Sequence, residues 1–354
     1  MEFGLSEEQV LLVDTVNKYL DTSAPLARVR DFAARPQDAE LWQGLVDIGI
    51  GGLLVAEAQG GVGLGFVEAA LVAEALGAHV TPSPFFGTAV VLPSVLNRVD
   101  PDSSLLGEIV SGTLRCGIGL AEASGARNGA AIVCRNGKLT GKALFVIDPA
   151  ADVFLVTDAQ RCLHLVDAGA GGLSTRPLTI VDTTRPVIEL TLNGTPARQL
   201  SGSPEDLLCA LDVARVMLAA DTLGAAQNML GQAVIYAGQR EQFNRPIATF
   251  QAVKHMCAEM AAELEPCRAF VWYAAHALNT LPAESRLTAC HLKAHLAEVG
   301  QFVARTATEV HGGMGFTDLV GLHYWFKRIG FNRQMLGTPE RLREEAARLQ
   351  GLVA

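Results

Sequence analysis

No run of lysine or arginine occurs along the 354 residues, and the chain is net acidic, with 28 basic against 37 acidic side chains (net −9). Binding to a phosphate backbone rests on clustered cations, so nucleic acid is excluded as a ligand and only a local phosphate contact stays open. No apolar stretch reaches the ~20 residues that a membrane span needs. No basic segment followed by an apolar one opens the chain either, because Met1 to Asp31 is acidic and amphipathic; no leader is expected. The seven cysteines (Cys116, Cys134, Cys162, Cys209, Cys257, Cys267, Cys290) are scattered, odd in number and form no CxxC. That excludes a disulfide framework and predicts reduced thiols in a cytoplasmic protein, with no metal centre. Charge is scarce at 18% while hydrophobic residues make up 49%. Such a chain can bury a large core and still expose apolar surface, which an oligomer would cover.

What is present falls into three textures. From Ser6 to about Arg98 the pattern is helical. Ser6-Glu7-Glu8 reads as an N-cap with first-turn acids, followed by Val10, Leu11, Val13, Val16 and Leu20 at helical spacing. A second helix runs through Trp42, Leu45, Val46 and Ile48 to Gly49, and a third from Phe66 to Leu76, ending at Gly77. From about Leu114 to Leu200 short β-branched runs alternate with turns. Asn136-Gly137, between Ile132-Val133-Cys134 and Leu139-Thr140, is the strongest short hairpin signal a sequence offers. Phe154-Leu155-Val156, Leu163 to Val166 and Val187 to Leu190 continue the series. From Pro204 the chain is helical again, over Leu207–Arg240, Gln251–Leu278, Leu287–Val310 and a last helix from about Pro339, lengths that pack as a bundle. The expected fold is therefore α+β and multi-domain: an N-terminal helical domain (1–113), a middle antiparallel β domain (114–202) and a C-terminal four-helix bundle (203–354).

Two segments carry candidate chemistry. In Arg240-Glu241-Gln242-Phe243-Asn244-Arg245-Pro246-Ile247, with Phe250-Gln251, two arginines, an aromatic and an amide sit at a helix junction. Arginine binds phosphate oxygens bidentately and a helix N-terminus adds donors, so the set suits a diphosphate. In His311-Gly312-Gly313-Met314-Gly315-Phe316-Thr317, three glycines allow close backbone approach to a planar ligand such as adenine. Taken singly, each segment reads more simply as an exposed inter-helix turn or a helix C-cap followed by a turn.

Together, about sixty residues apart, they resemble the acyl-CoA dehydrogenase family, whose pattern is R-x-x-F-G-x-x-I, then a Gln, then a G-G-x-G loop. Here it reads Arg240, Phe243, Asn244 (Gly in the family), Ile247, Gln251, and Gly312, Gly313, Gly315. The resemblance extends over nearly the whole chain, through Trp42, Gly49 to Gly61, Glu74-Ala75-Leu76-Gly77 and the turn Asp182-Thr183-Thr184-Arg185. Val310 to Thr317 with Leu322-His323 is most similar to the branch found in bacterial steroid side-chain degradation. The resemblance implies an FAD-dependent α,β-desaturation of an acyl-CoA, in which a carboxylate removes the α-proton while the flavin accepts the β-hydride. It also implies that Arg240, Phe243, Gln251, His311, Gly312, Gly313, Gly315 and Thr338 bind FAD. Arg240, Phe243, Gln251, Gly312 and Gly313 would hold the ADP half of a flavin seated mainly in a neighbouring subunit. An electron-transfer flavoprotein would be the electron acceptor.

The chain departs from that family where the chemistry is done. The two family positions for the base are occupied by Ala214 (in Leu211-Asp212-Val213-Ala214-Arg215) and Leu336 (in Met335-Leu336-Gly337-Thr338), so no catalytic residue is assigned. The flavin-facing T-E-P-x-x-G-S-D is Ala121-Glu122-Ala123-Ser124-Gly125-Ala126-Arg127-Asn128, and W-x-T is Phe145-Val146-Ile147. Thr338-Pro339-Glu340 reads as a helix start, not a displaced base, and Asp221 is a weaker candidate still. Asp212 and Arg215, three apart on one helix face, match positions that touch CoA in the family, or form an intrahelical ion pair. The expectation is a subunit that lacks its own base and completes the FAD site of a homologous catalytic subunit in an α2β2 complex. The alternatives are a self-sufficient dehydrogenase with an unrecognised base, and a flavin-free binding or structural protein.

Overall fold

The structure, a computed structural model, describes residues 4–34, 39–124 and 131–353. The N-terminal helices are α1 (Glu7–Ser23), α2 (Leu26–Ala34), α3 (Ala39–Asp47), α4 (Phe66–Ala78), α5 (Leu92–Val99) and α6 (Leu105–Val110). Ser6 caps α1 in a reciprocal pair: its hydroxyl accepts from the Gln9 amide (3.2 Å) while the Gln9 side chain accepts from the Ser6 amide (3.0 Å). The strands are β1 (Cys116–Gly119), β2 (Val133–Arg135), β3 (Lys138–Ile147), β4 (Val153–Thr157), β5 (Leu163–Asp167), β6 (Leu173–Leu178), β7 (Val187–Pro196) and β8 (Arg198–Ser201). The C-terminal part holds α7 (Pro204–Gln239), a two-stranded ribbon of β9 (Glu241–Gln242) and β10 (Arg245–Pro246), α8 (Gln251–Thr280), α9 (Pro282–His311), α10 (His323–Gln334) and α11 (Pro339–Leu349). Among the described residues no helix is long and apolar enough to cross a membrane.

The Asn136-Gly137 hairpin forms as its sequence demands, with both residues at positive φ (52° and 72°) and Arg135 facing Lys138 across the turn. The sheet runs β6-β7-β3-β1-β4-β5-β8, with β2 on β3. It is antiparallel except where β1 lies parallel to β4, because the chain crosses over through β2 and β3 between them. β6 is an end strand of the sheet and carries Pro177. Alternate residues of β4 go to different cores: Val153 and Leu155 join the main core shared with the helices, while Phe154 and Val156 join a core inside the β domain. Burial on both faces is why β4 reads as a continuous apolar run.

Gly77 does not end α4, which continues to Ala78. The glycine is instead a close-approach position. A Cβ on Gly77 would overlap the Asp221 backbone on α7, and one on Gly224 would overlap the Glu74 carbonyl on α4. The two backbones pack directly against each other. Gly224→Ala should therefore force the helices apart and cost about 1–3 kcal/mol, read as a lowered denaturant midpoint; an unchanged midpoint would refute the close crossing.

Candidate functional site

The turn Asp182-Thr183-Thr184-Arg185 is built by its own side chain, since Asp182 Oδ1 accepts from the Thr184 amide (2.9 Å) and hydroxyl (2.5 Å). That frees Asp182 Oδ2 and Arg185 to meet α7 and α10. Arg328 of α10, fully buried, donates from Nε to Asp182 Oδ2 (2.9 Å), from Nη1 to Asp221 Oδ2 (3.1 Å) and from Nη2 to Thr184 Oγ1 (2.7 Å). Arg185 donates to Asp221 Oδ2 (2.9 Å) and Asn332 Oδ1 (2.8 Å), and Asn332 Nδ2 donates to Asp221 Oδ1 (2.6 Å). Two carboxylates thus face two guanidiniums in direct contact. Burial alone would raise the Asp221 pKa, yet Arg185 and Arg328 hold it below the ordinary carboxylate range. Asp221 is a locked counter-ion and has no freedom to act as a base.

Beside this clamp, between the sheet and α10, lies a cavity of about 430 Å³ lined by Ala121, Phe145, Asp182, Phe326, Phe331 and Leu336 among others. Phe145 sits on a bulge in β3, at φ 53°, where two residues face one on β7. Leu336, in the turn between α10 and α11, is 1% exposed and at φ 56°. The carbonyl of Leu336 accepts from Arg215 Nε (3.2 Å), and that of Gly337 from Lys293 Nζ (3.4 Å). Burial, then the charges of Arg215 and Arg333, push the Lys293 pKa down to about 7. Ala214 is fully buried in α7. Among the described residues the only acid lining the cavity is Asp182, and Arg328 holds it. Glu122, pushed up to about 7 by burial, accepts from the Leu144 amide and so serves β3. Residues Gly125 to Asn128, Arg127 included, lie outside the described residues.

The second element is at one end of the bundle. The chain leaves α7 at Arg240, whose carbonyl accepts from Ile247 N–H (2.8 Å) and closes the β9–β10 ribbon. The two turn residues are Phe243 (φ 54°) and Asn244 (φ 60°), left-handed at both positions. Asn tolerates that conformation where the family pattern has Gly; Phe does so only at a cost. Phe243 is nevertheless 86% exposed, with Phe250 at its edge (6.2 Å) and Arg245 stacked on Phe250 (4.2 Å). Arg240 and Gln251 are exposed as well. Gly312 adopts φ 57°, ψ −139°, a conformation essentially reserved for glycine, and Gly312 and Gly313 face open space. His311, buried, stacks on Tyr236 of α7 (4.6 Å) and contacts the Ala307 carbonyl (2.7 Å), which joins the two segments at one place. Gly315 is a packing position, its Cβ site 2.8 Å from the Thr308 carbonyl. Thr338 is not part of this cluster. It starts α11 beside Lys293, 18 residues before His311 on α9, or about 27 Å along the axis.

Asp212 and Arg215 are paired with each other (3.5 Å) and almost wholly buried. Arg215 also donates twice to Glu345 (3.0 and 2.8 Å), and Arg286 Nε donates to Asp212 (3.1 Å). The intrahelical pair is thus present, with the Arg215 donors and Asp212 Oδ2 engaged inside the bundle and Asp212 Oδ1 approached only by Arg215 Nη1 (3.5 Å).

Comparison with known proteins finds relatives along nearly the whole chain. The pattern described as the acyl-CoA dehydrogenase N-terminal domain matches residues 6–98 and that of the C-terminal domain residues 206–350. The acyl-CoA dehydrogenase IpdE2 of Mycobacterium tuberculosis is 30% identical, the match covering 98% of each chain. Among solved structures, the ChsE4–ChsE5 complex from M. tuberculosis is 26% identical with a TM-score of 0.91, each chain covered in full. A variant of the Tcur3481–Tcur3483 steroid acyl-CoA dehydrogenase is 29% identical with a TM-score of 0.88, covering 98% of both chains.

Proposed function

Because the chain belongs to the acyl-CoA dehydrogenase family, we propose that it is the non-catalytic subunit of an FAD-dependent complex that desaturates an acyl-CoA, with a steroid-CoA side chain as the substrate class. A homologous subunit would supply the base, and this chain would complete that subunit's FAD site. An electron-transfer flavoprotein would take the electrons. The division into 1–113, 114–202 and 203–354 belongs to the same reading. The observation that carries it is the contrast between two ends of one molecule: apolar, sealed residues at both base positions, and an open, strained, Arg- and Gly-bearing surface where an ADP group would lie.

The family's oxidoreductases use FAD, and the fit differs by half. At the ADP end the residues suit the group: Arg240 offers an exposed guanidinium, Gln251 an amide at the start of α8, and Gly312 and Gly313 an open backbone. At the ring end the cavity is mostly apolar: Ala121, Phe145 and Leu336 give a polar ring edge no hydrogen bond from their side chains, and among the described residues the polar side chains on its wall are Ser124, Asp182, Lys327 and Gln334. When bound, the flavin supplies a hydride acceptor; this chain's part is to neutralise the diphosphate and shield the adenine.

The visible spectrum tests the proposal. The chain expressed alone should be poorly soluble or a colourless dimer, and yellow only after co-expression with a homologous dehydrogenase. A stable, flavin-loaded homotetramer would contradict it, and a colourless co-purified complex would remove the flavin role. Within the complex, Arg240→Ala deletes a charge-assisted contact of about 1.5–3 kcal/mol, so FAD affinity should fall at least tenfold. Unchanged affinity by fluorescence titration would remove Arg240 from the site.

A further inference from the structure

Sequence spacing gives no metal motif, yet the β domain brings Cys134 to the Asp158 and His164 side chains, which lie 24 and 30 residues further along the chain. Cys134 of β2, Asp158 in the turn after β4 and His164 of β5 bring one ligand atom each within 4.8 Å of one another. His164 Nε2 and Asp158 Oδ2 are 2.9 Å apart, their side chains 1% and 3% exposed. A buried His–Asp pair alone is satisfied by its own hydrogen bond. The third donor changes the chemistry, because a thiol has no strong hydrogen bond to offer that pair but is a strong ligand as thiolate.

We propose that Cys134, Asp158 and His164 form a binding site for a borderline divalent cation of the zinc type. Thiolate, imidazole and carboxylate together select such an ion over calcium or magnesium, which take oxygen ligands. Bonds of about 2.0–2.3 Å at tetrahedral angles place ligand atoms roughly 3.3–3.7 Å apart. Binding would require the half-buried Cys134 side chain to move toward the pair and the 2.9 Å His164–Asp158 contact to open by a few tenths of an ångström. The carboxylate is already oriented: Asp158 Oδ1 accepts from the Gln160 amide (3.0 Å) and the Cys162 amide (2.9 Å), which turns Oδ2 toward His164. Water is the candidate fourth ligand, since Cys162 in the same turn directs its thiol to the Gly202 carbonyl (4.0 Å). Bound there, the ion would add a tie between β2 and the β4–β5 hairpin, which already share an apolar core and the bond from Ala159 N–H to the Ile132 carbonyl (2.8 Å). The role is structural and independent of flavin.

The test uses the full chain as purified, with its partner subunit, stripped by chelator and titrated with Co2+ and then Zn2+. The difference spectrum between wild type and Cys134→Ser isolates this site from any other in the complex. It should show a sulfur-to-cobalt charge-transfer band and tetrahedral visible bands at one equivalent per chain, displaced by Zn2+. Cys134→Ser and His164→Gln should each weaken Zn2+ binding at least tenfold, whereas Cys209→Ser, half-buried and outside the cluster, should leave it unchanged. Zn2+ should also raise the melting temperature of wild type and not of Cys134→Ser. A flat difference spectrum, or Zn2+ affinity equal in wild type and either cluster variant, overturns the proposal.

Discussion

In the proposed complex, removing the catalytic carboxylate of the homologous subunit is expected to lower thioester-dependent flavin bleaching by about 10²–10⁴-fold, the contribution of a positioned general base. The expectation follows from what this chain can offer in its place. Ala214 and Leu336 take no proton, and Asp221 is held ionised between the Arg185 and Arg328 guanidiniums. Glu340 is exposed, with Arg333 at 3.5 Å, and hydrogen bonds from the helix start and Thr338 keep it below the ordinary carboxylate range. Putting Leu336→Glu into this chain should restore little. The new carboxyl would enter an apolar cavity beside Phe145 and Phe331, where desolvation raises its pKa, and the ring-edge partners would still be missing. The measurement is stopped-flow bleaching at saturating acyl-CoA. A near-normal rate with the partner's base deleted would mean that this subunit has a working base of its own.

Arg328→Met should cost about 3–5 kcal/mol of stability, the usual penalty for breaking a buried ion pair from one side. Methionine fills the space but leaves Asp182 and Asp221 with one guanidinium between them. The sign of the pH dependence follows from Asp221. Its folded pKa lies below the ordinary 3.8, so the stability it contributes is present above that value and lost as pH falls through the folded one. Without Arg328 the folded pKa rises, and acid unfolding should begin at higher pH. Adding Asp221→Asn to Arg328→Met should recover part of the loss by removing an uncompensated charge. Urea unfolding at pH 7 measures all of this, and a loss under 1 kcal/mol would show that the cluster is not load-sharing.

The long bundle helices, the Ser6 cap and the Asn136-Gly137 hairpin were readable because each is written in local spacing. Helix α10 was not, because Arg328 and Asn332 turn inward at positions where periodicity expects apolar residues. Gly77 was misread for a related reason: a glycine that ends a helix and one that lets another helix touch it look alike until the neighbour is known. Strand β6, exposed along most of its length, had no apolar alternation to reveal it. At the site, the surface Arg240–Gln251 and Gly312–Gly313 could be found as motifs, but their convergence through Tyr236 and His311 could not. The Asp182–Arg185–Asp221–Arg328–Asn332 cluster spans 150 residues of chain, and only its first turn was visible as a motif. The Cys134–Asp158–His164 group escaped for the same reason, since pleat and register, not spacing, bring it together.

Strand β6 has a consequence for how copies of the protein meet. It pairs with β7 along one side and ends the sheet on the other, where an unguarded strand would offer its amides and carbonyls as a template for a second sheet. Pro177 removes one of those amides, and Arg176 places a charge next to it. Growth of the sheet from one molecule into the next, the route by which exposed strands fibrillise, is discouraged at that margin. Helix-to-helix association is thereby left as the safer route to assembly.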